Sequence, residues 1–270
     1  MPATLSSFNP IYFVLLAGSR PGIDPLAQAA GVPTKALVPV AGRPMLDRVA
    51  RTLVEYGAVA GVVILSQQGE AGLAIDPQTR WLADHPKIRF VESGQGISQS
   101  LLDLIDGGQI TLPAIVTTAD NVLMDGRVID AFLARLDRRA DVAVAMVERR
   151  TLMAAYPQSR RTWLKFRGGW WSGANLFWLG SERARGALAL WRTVEQDRKK
   201  GWKILSVFGP ALLLGAGLRL LTIHAAISRA GKRLGLAAQI VPLPIAEACI
   251  DADKPEDIVL IERILAEREI

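Results

Sequence analysis

An α/β fold built on a Rossmann-like, mixed but mostly parallel sheet flanked by helices is what this sequence predicts, and two observations predict it. Over the first 150 residues, apolar runs of strand length alternate with segments of helical period, a pattern that implies parallel pairing through right-handed crossovers. After residue 150 the text turns basic and aromatic, with short alternating stretches broken by Gly-Gly, which predicts a small antiparallel elaboration of the same sheet.

The strand runs are "IYFVLL" (11–16), "GVVILS" (61–66), "IRFVE" (88–92), "PAIVTTA" (113–119) and "DVAVAMV" (141–147). Helices are predicted between them at 44–57 and 98–108, where apolar residues recur every three or four positions. The stretch "RRTWLKFRGGWWSGANLFWLG" (160–180) supplies the antiparallel strands. Helical period returns over 182–197 and 211–234, a strand follows at "AAQIVPL" (237–243), and a closing helix starts near Pro255 with Glu256 and Asp257 suited to its positive end. No repeat or flexible linker interrupts the chain, so its 270 residues are expected to form one elaborated domain.

Composition narrows the function classes. Cys249 is the only cysteine, which rules out an intrachain disulfide, and the opening "MPATLSSFNP" lacks the order of a signal peptide. A cytoplasmic protein is the expectation. The most apolar stretch, 209–228, is interrupted by Arg219 and His224, unlike a membrane span. The net charge of +6 points to anionic partners. Without zinc-ligand clusters or an aromatic RNA-binding signature, nucleic acid is not expected among them.

In sheets of this kind, ligands sit beyond the carboxyl ends of the strands. The first strand runs into "LAGSRPG", whose Gly18 and Gly22 permit close backbone approach and whose Arg20, with Lys35 further on, brings two cations to one edge. Backbone N–H groups beside fixed cations suit a polyphosphate, and a solvated surface loop is the plain alternative. The dinucleotide fingerprint G-x-G-x-x-G is absent. "VTTAD" puts Asp120 at the same edge, where a carboxylate can hold Mg²⁺ or cap the next helix. Asp251 and Asp253 follow in a later segment, and one of them at most is expected to share a site with Asp120.

"LLAGSR", "PTKALVPVAGRPMLDRV", "TTAD" and "DADKPEDI", in that order, resemble the nucleotidyltransferases of the glycosyltransferase-A-like fold. That group includes sugar-phosphate nucleotidyltransferases, molybdenum-cofactor guanylyltransferases and small-alcohol-phosphate cytidylyltransferases. The resemblance implies a nucleotide-binding half over about 1–150, an acceptor-binding elaboration over about 151–245, and a second metal motif with a closing helix over about 246–270. It further implies that Leu16, Ala17, Gly18, Ser19, Arg20, Lys35, Ala119 and Asp120 bind the nucleotide. Lys35, Arg20, Asp120 and Asp253 would be catalytic, with Asp120 and Asp253 ligating Mg²⁺ and Asp251 the alternative ligand.

The segment "ESGQGISQSLLDLID" resembles the base-reading stretch of methylerythritol-phosphate cytidylyltransferases, aligning Gly94, Gln95 and Ser100 with cytosine contacts and favouring CTP. Helix capping by Ser98 or Ser100 is the structural alternative. For the acceptor, the cluster Arg149, Arg150, Arg160, Arg161, Lys165 and Arg167 fits a phosphate or carboxylate. "SGAN" resembles the acceptor strand, assigning Gly173 and Asn175 beside Arg160, Arg161 and Lys165. The expected reaction moves CMP from CTP to a small phosphorylated alcohol or acid, giving a CDP-linked lipid head-group precursor. Guanylyl or uridylyl transfer to a cofactor or sugar phosphate, and a nucleotide-binding regulator without catalysis, remain open. The segment 199–233, apolar with interspersed cations, reads as an acceptor lid, a homodimer face, a loose contact with anionic lipid, or a packed amphipathic helix.

Overall fold

The computed structural model describes residues 10–268 apart from 19–21, 23, 95, 197–213 and 215–216. An eight-stranded sheet forms its centre. The first strand, β1 (Ile11–Leu16), buries Phe13, Val14 and Leu15 completely, as a strand covered on both faces must. Alternation then sorts the side chains. Phe13, Leu15, Val62 and Ile64 face one core, and Val14, Val63, Leu65 and Val116 the other.

A short helix α1 (Pro25–Ala30) follows the opening loop, capped by the Asp24 carboxylate. The chain then makes a 3-10 turn at Lys35–Leu37 and a two-stranded ribbon of β2 (Pro39–Val40) and β3 (Arg43–Pro44). Helix α2 (Met45–Glu55) buries Val49 and Leu53 on the first core and leads to β4 (Val59–Ser66), parallel to β1. Two short helices, α3 (Gly69–Leu73) and α4 (Trp81–Asp84), precede the edge strand β5 (Ile88–Glu92). Helix α5 (Ile97–Asp106) packs Leu101, Leu104 and Ile105 on the second core.

The chain next returns to the opposite side of β1, where β6 (Ala114–Thr118) pairs parallel with it. The chain therefore builds outward from β1 through β4 to β5 on one side and turns to β6 on the other, reversing direction at β1. A ligand crevice forms beyond the carboxyl ends at such a reversal. Helix α6 (Gly126–Arg135), capped by Asp125, covers the first core with Val128, Ile129 and Phe132.

Beyond it lie β7 (Val142–Glu148) and α7 (Arg149–Ala155), then a hairpin of β8 (Leu164–Phe166) and β9 (Gly169–Leu179). Gly168 takes φ 85° in the tight turn between them, a conformation costly for any residue with a Cβ. The antiparallel elaboration is thus present, but its long strand is inserted into the sheet. β9 lies between β6 and β7, antiparallel to both. Helix α8 (Ala184–Gln196) follows. Helix α9 (Ile223–Arg233) leads to β10 (Ala238–Leu243), parallel to β7. The last helix, α10 (Pro255–Arg268), carries Glu256 and Asp257 in its first turn. Of the helical period predicted over 211–234, Leu214 and Gly217 are helical among the described residues, 218–222 are turn, bend and coil, and helix returns at Ile223.

Asp141 ties this far half together. Its buried carboxylate accepts from the Ala237 N–H at 2.7 Å and from the Ser181 hydroxyl, joining β7 to the start of β10 and to the turn before α8. The Ser181 bond and then the Ala237 bond hold its pKa below the ordinary 3.8, outweighing burial. Replacing Asp141 with alanine is expected to cost about 2 kcal/mol near neutral pH. Because the folded-state pKa is depressed, that contribution is complete above the ordinary value and fades as pH falls through the folded one. Urea titrations of both proteins should show the gap closing on acidification. A gap that widens would contradict the assignment.

Candidate active site at the carboxyl edge

Lys35 is the centre of the edge. Its ammonium lies 2.6 Å from Asp120 Oδ2 and 2.6 Å from Asp253 Oδ1. Three segments far apart in sequence meet there: the 3-10 turn after the opening loop, the end of β6, and the segment before α10. Burial alone would lower the Lys35 pKa, but the charge and hydrogen bonds of Asp120 and Asp253 outweigh it and hold the group above its usual 10.5. Lys35 is therefore a cation at any working pH.

Asp120 is fixed on its other side. The Thr118 hydroxyl donates to Oδ1 at 2.6 Å, and the Asp120 carbonyl accepts from the Ala252 N–H at 3.0 Å. The latter bond clips the 250–253 segment to the strand end. Two positions apart, the acids would share a face of an extended chain, but a tight turn in which the Asp253 N–H donates to the Asp251 carbonyl at 3.2 Å sends them apart. Asp253 turns to Lys35, while Asp251 accepts from Asn175 Nδ2 at 2.9 Å and pairs with Arg161.

Asn175 itself sits at φ 47°, with its carbonyl accepting from the Thr117 hydroxyl at 2.8 Å. Left-handed backbone at a non-glycine residue is a local cost, and these bonds hold it in place. Arg161, with only 10% of its side chain exposed, also lies 3.5 Å from Asp257. Two carboxylates neutralise it, so its charge serves this network. Arg160 and Lys165 are exposed, and Gly173 pairs with Met146 in the ladder beside Asn175.

At the opening loop, Leu16 accepts from the Ala119 N–H and Ala17 donates to Leu65, each at 2.9 Å, so β1, β4 and β6 end level with one another. A Cβ on Gly18 would come within 2.7 Å of the Gln67 side chain. Ser19, Arg20 and Gln95 lie outside the described residues. Ser100 reaches back from α5, accepting from the Gly94 N–H and donating to the Gly96 carbonyl, both at 2.9 Å. It thereby shapes the 94–96 turn.

Neither Ser98 nor Ser100 caps α5. Glu195 of α8 does so, accepting from the Ile97 and Ser98 N–H groups at 3.0 and 3.2 Å. Nothing local in the sequence marks that contact, which spans 98 residues. Nearby, the hydroxyls of Ser66, Ser93 and Ser98 and the Gln68 carbonyl are buried with no hydrogen-bond partner among the described residues.

The profile of the MobA-like NTP transferase domain matches residues 14–208. The chain belongs to that family. It is accordingly a nucleotidyltransferase of the glycosyltransferase-A-like fold. Among solved structures, a hypothetical transferase from Thermus thermophilus is 25% identical, with a TM-score of 0.75 over 93% of this chain and all of that one. A CMP:2-keto-3-deoxy-manno-octonic acid synthetase complexed with CTP is 14% identical, with a TM-score of 0.56 over 96% of this chain and 99% of its own. A 4-diphosphocytidyl-2C-methyl-D-erythritol synthase is 12% identical, with a TM-score of 0.55 over 96% of this chain and 100% of its own. No curated protein matches the sequence.

Proposed function

We propose that this nucleotidyltransferase is a Mg²⁺-dependent cytidylyltransferase. It transfers CMP from CTP to a small phosphorylated alcohol or acid, giving a CDP-linked lipid head-group precursor and pyrophosphate. The observation that carries the reading is one cation, the Lys35 ammonium, held between two carboxylates at the sheet reversal. Two fold relatives whose names carry CMP or a cytidyl group support CTP as the donor.

The carboxylate pair fits a divalent metal. Among the described residues no three acidic, histidine or cysteine side chains converge. Mg²⁺, however, is satisfied by one or two carboxylates with substrate phosphates and water. Asp120 and Asp253 would hold it, and when bound it would offset the charge of the triphosphate.

In the proposed reaction an acceptor phosphate oxygen attacks the α-phosphorus of CTP. The bond to the bridging oxygen breaks and pyrophosphate leaves with its electron pair. That nucleophile is already ionised at neutral pH, so this chain need not supply a base. Positioning and charge do the work. Lys35, released from the carboxylates, and Arg20 are assigned to the phosphate oxygens. Arg160, Lys165 and Asn175 are assigned to the acceptor, with Asp251 and Arg161 holding Asn175 in position. Gly94 and Ser100 are assigned to the base. Cys249 takes no part: burial pushes its thiol up to about 12.

Pyrophosphate release is the test, measured with each ribonucleoside triphosphate against phosphoglycerates, inositol phosphate, phosphocholine and hexose phosphates. Release with CTP and one small acceptor is expected. Preference for GTP or UTP would replace the cytidylyl reading, and nucleotide binding without release from any acceptor would favour a regulator.

A further inference from the structure

We propose that the β8–β9 hairpin and residues 217–221 form a docking surface for an anionic lipid bilayer, an inference that goes beyond the catalytic reading and is independent of which nucleotide is used. The two segments adjoin, because the Arg167 N–H in the hairpin turn donates to the Leu221 carbonyl at 3.0 Å. Behind them Trp171 and Phe166 pack with Ile223 and Ile227, fixing the hairpin against α9.

What faces outward is apolar. Leu164 is 50% exposed, Trp170 37%, Leu218 67% and Leu220 60%. Among the described residues nine large apolar side chains are exposed; of these four, Leu164 and Trp170 project from opposite faces of the hairpin, and Leu218 and Leu220 lie on the segment bonded to its turn. Such grouping marks an interaction surface, since scattered single exposures are the norm.

Charge selects the occupant. The Trp170 ring lies 4.4 Å from the Lys165 ammonium and 5.1 Å from the Arg149 guanidinium carbon. Arg167 occupies the turn, and Arg219 stands exposed between Leu218 and Leu220. The nearby acid Glu148 is engaged by Arg150 at 2.6 Å. Leucine and tryptophan tips interleaved with lysine and arginine match the acyl boundary and the phosphate layer of a bilayer together. No helix among the described residues is long and apolar enough to cross a membrane.

Its position has a consequence. Trp171 pairs with Glu148 at the carboxyl end of β7, the edge at which β6 leads to Asp120. A docked protein would therefore turn its candidate active site toward the lipid surface.

The test is co-sedimentation of the full chain with vesicles of phosphatidylcholine alone or mixed with phosphatidylglycerol, at low and high salt. Anionic vesicles are expected to bind at least about tenfold better, with the advantage lost at high salt. Lys165→Ser with Arg167→Ser should weaken that binding about thirtyfold, at roughly fivefold per cation near a charged surface. Arg139→Glu on the opposite edge, an equal change in net charge, should leave it intact. Trp170→Ala should weaken binding to anionic vesicles at both salt levels.

Equal binding to neutral vesicles would overturn the proposal, as would equal losses in the Arg139→Glu and hairpin variants. Failure of the wild-type chain to bind, with self-association in the ultracentrifuge that Trp170→Ala abolishes, would make the patch a contact between copies instead. A CTP assay on the wild-type preparation separates failure of docking from failure of the cytidylyl reading, since Lys165 is also assigned to the acceptor.

Discussion

Asp120→Asn is expected to lower CTP-dependent pyrophosphate release by about 10²–10³, the usual loss when one preorganised charge-stabilising group is removed, and to leave the protein folded. The substitution is nearly isosteric. Asparagine retains an oxygen for the Thr118 hydroxyl, and the backbone bond from Ala252 to the residue 120 carbonyl does not involve the side chain. What disappears is one of two negative charges at the Lys35 ammonium. Binding of Mn²⁺, read by electron paramagnetic resonance, should weaken in parallel, because a single carboxylate would remain. A variant with unchanged Mn²⁺ affinity and unchanged turnover would remove Asp120 from the site. Lost turnover with unchanged Mn²⁺ binding would give it a role other than metal ligation.

How much of this was legible in the sequence depends on whether a feature is local. Strands announce themselves through apolar runs, and Ile11–Leu16 and Ile88–Glu92 fall where those runs predict. The placement of β9 was not legible. Its alternation predicts a strand, but nothing in residues 169–179 says that it enters the sheet between β6 and β7.

The same limit applies at the edge. The two-residue spacing of Asp251 and Asp253 would put both on one face of an extended chain, whereas a turn parts them and the partners that receive them, Asn175 and Lys35, come from 76 and 218 residues away. Arg161 looks like one more cation in an acceptor cluster until its pairing with Asp251 and Asp257 is seen. Net charge can be counted from a sequence; the neutralisation of a particular charge is tertiary. Glu195 is the extreme case, since a glutamate on one helix capping another leaves no pattern at all.

Lys35→Ala is expected to move two measurements in opposite directions. Turnover should fall by about 10²–10³, because the cation assigned to the triphosphate is gone. The nucleotide-free protein should nevertheless bind Mn²⁺ more tightly, by roughly tenfold, because its carboxylates are no longer occupied. In the structure the Lys35 ammonium already sits 2.6 Å from both Asp120 and Asp253, so a metal ion entering there must first displace a charge of the same sign. Removing the lysine removes that competition. Lys35→Gln should repeat both effects, and Lys35→Arg, which keeps a cation, should leave Mn²⁺ affinity near that of the wild type. The opposite outcome has an equally physical meaning. Two carboxylates without the ammonium repel each other, and if they drift apart Mn²⁺ affinity would fall with turnover. Lys35 would then be the group that assembles the pair, and its role as a cation exchanged between carboxylates and triphosphate would be refuted.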